Sequence, residues 1–387
     1  MRAGDRGGAR DAAAPGTARG AAGPGQRIEP DQEKDRIRRV YSGIRKNDPV
    51  TDIFAPEEAP ERTHRRRWPW VIVFTVLGIF IAAAVTGAVY LGHLSSLYDQ
   101  AEKLPDSQVF PDPTTRPTTP ADSPDGRNIL LLGSDTRGSM GKNVEDIRGQ
   151  RSDTIMLVHI PSDRSGVQII SIMRDNWVPI PGHGENKINA ALSFGGVPLL
   201  VQTIEGILEV PIDHVAIVDF EGFKGLSEAV GGVTLDNAIA FKSDGHEFAQ
   251  GQITVEGDAA LAYVRARYPF KDGDYQRVRN QQAFVKGLVG ELISRDTLTN
   301  PARIADSVGA ISKFLAVDSG LNAQVAAQLG LEMKDVRPED MMFLTSPTKG
   351  TGTVGDQSIV VPDWDGLRAL SDALKNDTVP QYAATQK

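Results

Sequence analysis

Three regimes of apolar and polar patterning follow one another along the chain. Residues 68–92, WPWVIVFTVLGIFIAAAVTGAVYLG, carry no charge, and roughly 20 apolar residues suffice to cross a bilayer. Ahead of them, residues 1–67 predict a disordered basic tail. Its first 30 or so positions are Ala, Gly, Arg and Pro with almost no large apolar side chain, so burial there cannot offset the entropy of ordering. Behind the span, residues 93–127 include FPDPTTRPTTPADSPDGR and predict a semi-extended linker. Residues 128–376 then show the short apolar runs and helical stripes of a folded domain, and 377–387 read as a disordered tail.

Inside the domain, 128–133 and 154–160 are short apolar runs of the kind that form buried strands, and 167–172 is a third, with a turn at 162–166. A helix is expected from Pro198 to residue 208, with proline in its first turn. A strand follows at 214–218, a helix at 221–230, a short strand at 233–235 and a helix at 256–263. Further helices are expected at 275–293, 301–315, 321–333 and 364–374, and strands at 341–345 and 358–361. Strands alternating with helices predict an α/β fold.

Charge changes this picture most within residues 263–282, YVRARYPFKDGDYQRVRNQQ, where four arginines and a lysine crowd around two aspartates. On the helix predicted at 275–293, Val278, Val285, Val289 and Leu292 share one stripe at the 3.6-residue period, the core-facing side. Arg277 and Gln281 fall on that same stripe, whereas Arg279 and Lys286 point roughly the opposite way. Inward polar groups need partners. Asp274 falls at the predicted N-cap, and Arg265 and Arg267 share one side of the segment ahead of it by alternation. The cluster reads as an anion-binding site.

A second convergence comes from the first three strands. If they run up, down and up, Asp135, Asp153 and Arg174 meet at one sheet edge. Adjacent carboxylates repel unless a cation or a shared proton lies between them, and hard oxygen ligands favour Mg²⁺. Each aspartate taken singly reads equally well as a turn or cap residue. Lys187 either reaches a phosphate or is solvated.

Composition narrows the classes. The net charge of −8 over 387 residues argues against general nucleic-acid binding. No cysteine is present, which removes thiol catalysis, disulfides and cysteine zinc sites. The six histidines are scattered and no H-E-x-x-H occurs, so a zinc hydrolase is not indicated. Arg65, Arg66 and Arg67 directly before the uncharged span place the N-terminus in the cytoplasm and the domain outside, in a single-pass membrane protein. An uncleaved anchor fits better than a signal peptide, whose apolar core is usually ~7–15 residues.

With these residues in view, the sequence resembles the LytR-CpsA-Psr family of bacterial envelope phosphotransferases. The resemblance rests on GSDTRG, RSDTIMLVHI, SIMRDNWVPI, KINAALSFGG, VDFEGF with AVGGV, and YVRARYPFKDGDYQRVRNQQ, in the family's order after one N-terminal anchor. It implies a central mixed sheet flanked by helices in an α-β-α arrangement. It also implies magnesium, with manganese as the alternative, on Asp135 and Asp153. Pyrophosphate binding falls on Arg174, Arg265, Arg267, Arg277 and Gln281, joined by Lys187 and Arg151, and acid or base chemistry on Asp274. The implied reaction moves a glycan phosphate from a polyprenyl-pyrophosphate carrier in the membrane to a peptidoglycan hydroxyl. Two other readings stand beside it: a regulatory protein that holds the lipid without turnover, and a pyrophosphatase acting on it.

Overall fold

Alternation along the apolar strands sets the architecture. A computed structural model describes residues 68–118, 123–134, 152–294 and 299–386. Helix α1 (Trp68–Tyr98) leads into β1 (Glu102–Leu104), β2 (Arg127–Ser134), β3 (Ser152–Ile160), β4 (Val167–Ser171), α2 (Ala190–Leu208) and β5 (His214–Asp219). Then come α3 (Phe220–Ala229), α4 (Gly257–Arg265), α5 (Asp274–Leu292), α6 (Pro301–Ser312), β6 (Leu315–Asp318), α7 (Ala323–Glu332), β7 (Met341–Thr345), α8 (Trp364–Lys375) and α9 (Val379–Thr385). The seven strands form one mixed sheet in the order β1-β6-β5-β2-β3-β4-β7. β2, β3 and β4 run antiparallel in sequence, as expected, and β5 lies parallel to β2. Pro198 follows a kink at Gly195 and Gly196 inside α2, so the helix expected from Pro198 is the second half of a longer, broken one.

The two faces of the sheet differ. Leu130 pairs with Leu157 and Val215, and Leu132 with Ile155 and Ile217. These residues point to one side, where they pack with α2 and α8 into the largest buried cluster. The intervening residues Leu131, Met156, Val158, Ile169 and Val218 point to the other side. There α3, α4, α5 and α6 roof the sheet without filling the space beneath, leaving a cavity of about 650 Å³.

Three expectations are corrected. The expected spacer is folded over its first half: α1 runs on to Tyr98, β1 pairs in parallel with β6, and Leu104 and Val109 are fully buried. The helical stripe expected over 301–315 ends at Ser312, and Leu315 opens β6, whose ladder to β5 overrides the local pattern. Residues 379–385 form α9, with Val379 buried, and the Asp377 carboxylate accepts from the Ser162 amide at 2.7 Å and lies 3.0 Å from His159 Nε2.

Beside the β1–β6 ladder and the buried Leu104 and Val109, an ion pair ties residues 101–116 to the domain. Arg116 Nη2 lies 2.6 Å from Glu205 Oε1 and donates to the Ile212 carbonyl, and Glu205 is 2% exposed. Removing one partner of a buried pair strands the other charge, at a cost of about 3–5 kcal/mol. Arg116→Ala should therefore lower unfolding free energy by at least about 3 kcal/mol in urea titration; a loss under about 1 kcal/mol would put the pair among surface bridges.

Candidate functional site

The site forms where the C-terminal ends of β2, β4 and β5 meet the N-terminus of α5. Beyond β4 the chain turns, with the Asn176 amide donating to the Met173 carbonyl and the Asn189 amide to the Arg174 carbonyl. This holds Arg174 and Asp175 at the sheet edge. Asp175 sits 3.4 Å from Arg174 Nε and 3.2 Å from Lys187 Nζ; Lys187 ends the hairpin formed by 177–180 and 184–187.

Helix α5 carries the inward polar stripe expected of it. Arg277 is 4% and Gln281 6% exposed, while Arg279 lies open to solvent. The helix starts one residue earlier than the expected cap: Gly273 is the N-cap, and Asp274, the first helical residue, turns its carboxylate to Arg277 Nη1 at 2.8 Å. The inward polar set is also larger than periodicity suggested, and its function is local. Asn280 donates to the Tyr263 carbonyl at 3.2 Å and Gln281 to the Val264 carbonyl at 3.4 Å. Those carbonyls belong to the last turn of α4, which has no intrahelical donors of its own. Side chains of α5 thus cap α4 and fix where its final residue, Arg265, leaves the helix. Arg265, expected in an extended segment, is instead the last residue of α4; Ala266, 2% exposed, turns the chain out of the helix, and Arg265 and Arg267 both line the cavity. Arg267 stacks on Tyr268 at 4.6 Å and donates to its hydroxyl at 2.6 Å.

Arg174, Arg265, Arg267, Arg277 and Gln281 all line the mouth of the apolar cavity, and Lys187 joins them through Asp175. Val285, Val289 and Leu292, read as a core stripe, are only half-buried because they face that cavity. Arg151 and Asp135 lie outside the described residues, as does the Asp153 side chain. The backbone of Asp153 falls where the pairing of β2 with β3 skips from Gly133–Thr154 to Ser134–Ser152, a β-bulge that re-aims side chains at a sheet edge. Ser134, immediately before Asp135, is also in register with Asp219. The strand ends therefore bring the backbone of Asp153 close to the residue preceding Asp135.

Two acids were not singled out in the sequence. Asp219 is buried at the same edge, capping α3 through the Gly222 amide at 2.6 Å. The Asp175 carboxyl lies beside that of Asp274, and the two titrate together. Burial raises the Asp274 carboxyl; Arg277 and Arg174 pull it down, but the hydrogen bond and charge of Asp175 leave it above the ordinary range. Burial works to raise Asp175 too, yet Arg174, the bond with Asp274 and Lys187 outweigh it and hold it below that range. The two carboxyls are thus set apart, Asp274 above and Asp175 below the ordinary range. The visible signal was the aspartate directly after Arg174.

A cationic mouth on an apolar cavity suits an amphiphile with an anionic head, and the comparisons point the same way. The LytR_cpsA_psr family model matches residues 94–376. The chain belongs to the LytR-CpsA-Psr family. A protein of Enterococcus faecalis called polyisoprenyl-teichoic acid–peptidoglycan teichoic acid transferase TagU is 32% identical over 243 residues, 62% of this chain and 75% of that protein. A protein of the same name in Bacillus anthracis is 35% identical over 244 residues, 62% of this chain and 77% of that protein. Among solved structures, B. subtilis TagV superposes with a TM-score of 0.56 at 27% identity, covering 66% of this chain and 97% of that one. The LytR-Csp2A-Psr enzyme of Actinomyces oris shares the fold, with a TM-score of 0.55 at 20% identity over 71% of this chain and 96% of that one.

Proposed function

We propose that this membrane-anchored transferase moves a glycan phosphate from a polyprenyl-pyrophosphate carrier to a peptidoglycan hydroxyl, attaching a cell-wall polymer and releasing polyprenyl phosphate. One observation carries the reading: the arginine mouth opens directly into the apolar cavity. The cleft offers some 650 Å³ lined mainly by apolar side chains, which suits a polyprenyl chain with its pyrophosphate at the arginines.

In the reaction the acceptor oxygen bonds to the glycan-bearing phosphorus and the P–O–P bridge breaks, with polyprenyl phosphate leaving. Arg174, Arg265, Arg267 and Arg277 neutralise the phosphate oxygens with forked donors. The acceptor proton passes to a carboxylate oxygen of the Asp175–Asp274 pair. Asp135 and Asp153 would hold Mg²⁺, which when bound supplies further neutralisation at those oxygens. The basic residues before α1 orient the N-terminus to the cytoplasm and the domain outside.

The test uses the full chain in proteoliposomes with a lipid-linked glycan pyrophosphate. Polyprenyl phosphate release should require a peptidoglycan acceptor and fall with a chelator. Equal release with water alone would make the protein a pyrophosphatase, and binding without release would make it a lipid-holding regulator.

A further inference from the structure

Helix α1 does not end in a flexible tether; it docks along α6. Tyr90 Oη donates to the Pro301 carbonyl at 2.8 Å. Leu97 packs so closely on Gly309 that a Cβ there would lie 3.2 Å from its side chain. Tyr98 Oη donates to the Leu321 carbonyl at 2.9 Å. Seven residues along α1, from Tyr90 to Leu97, match eight along α6, from Pro301 to Gly309, rises of about 10 and 12 Å. The two helices therefore run side by side in the same direction, and the start of α6 lies at the level of Tyr90.

That level is set by the membrane. Tyr90 lies inside the apolar stretch Val73–Tyr98, at the position of an interfacial aromatic. The start of α6 is thus held at the bilayer surface. The end of α5 is held close to it, because Ser294 and Thr299 are five residues apart and at most about 18 Å of chain can separate them. Leu292 and Ile293, in that last turn of α5, line the cavity. Arg277 and Gln281 line the other end of the same cavity. From Arg277 to Ile293 is 16 residues, or about 24 Å along α5.

We propose that the end of the domain formed by the C-terminus of α5 and the N-terminus of α6 rests on the bilayer, with the apolar cavity rising from it along α5 to the arginine mouth. An isoprenoid tail enters from the membrane at the α5–α6 end and its phosphate head emerges about 24 Å further along the helix. The reacting centre thereby stands off the membrane, towards a polymer acceptor. The resting surface follows from the docking of α1 alone; only the identity of what enters rests on the function proposed above.

The chain has no cysteine, so single-cysteine labels report depth cleanly. Arg303→Cys, on the exposed first turn of α6, and Lys271→Cys, exposed just ahead of α5, would each carry a fluorophore on the full chain in nanodiscs whose lipids bear a headgroup spin label. Quenching should be severalfold stronger at 303 than at 271. Equal quenching at the two sites, or stronger quenching at 271, overturns the proposal. A depth difference that stands while carrier release fails would leave this orientation in place and sink the reaction instead.

Discussion

Arg277→Ala is expected to lose about 10²–10³ in the rate of polyprenyl phosphate release, and Arg279→Ala to stay within about twofold of the parent. The two arginines lie two residues apart on one helix, rotated by about 200° at ~100° per residue. Arg277 is buried at the cavity mouth, beside Asp274. In the proposed reaction its guanidinium contacts the phosphates, and deleting a donor to developing charge typically costs about 2.7–4 kcal/mol. Arg279 is half-exposed, ion-paired to Asp272 and bonded to Gln276 Oε1 at 2.9 Å. A surface arginine of that kind is worth within about 0.5 kcal/mol. Both variants should fold, for a reason the acid pair supplies. Without Arg277, the Asp274 carboxyl loses a cation that favours its charge and is pushed further up, so it can take up a proton instead of staying charged without a partner. Initial rates beside thermal melts check this. Equal rate losses in two folded variants would reduce the stretch to a diffuse basic surface.

How far the sequence carried the fold depends on whether a feature is local. The β2–β3–β4 meander was legible because three consecutive apolar runs, the last two joined by a short turn, leave few other pairings. The inward placement of Arg277 and Gln281 was legible because helical period alone decides it. β6 was not: Leu315–Asp318 extends a helical stripe in sequence and becomes a strand only through β5, about 100 residues earlier. β1 and the buried Leu104 and Val109 were masked by the proline and threonine around them, although two apolar side chains and Arg116 are enough to fold that stretch back. Asp274 was misread as a cap because composition cannot tell a capping carboxylate from one turned towards an arginine. The cavity was the deepest gap. Periodicity says which side of α5 is apolar, not whether protein or lipid covers it.

That distinction gives the second large effect. Val289→Trp should abolish carrier turnover, by more than about tenfold, while the protein becomes more stable. In a packed core such a substitution forces strain costing about 1–3 kcal/mol. Val289 instead is half-buried and faces a space of about 650 Å³. The indole would bury extra apolar area on the order of 60 Å², worth about 1.5 kcal/mol at roughly 25 cal/mol per Å², so Tm should rise by a few degrees. The same indole would occupy the path of the isoprenoid chain, and binding of polyprenyl phosphate should weaken in proportion to the turnover lost. Leu130→Ala supplies the contrast from the opposite face of the sheet. Leu130 is fully buried against α2 and α8, and its truncation should cost about 2–5 kcal/mol. A Val289→Trp protein that is less stable than the parent, yet still binds and turns over the carrier, would mean that α5 faces packed protein and that the lipid lies elsewhere.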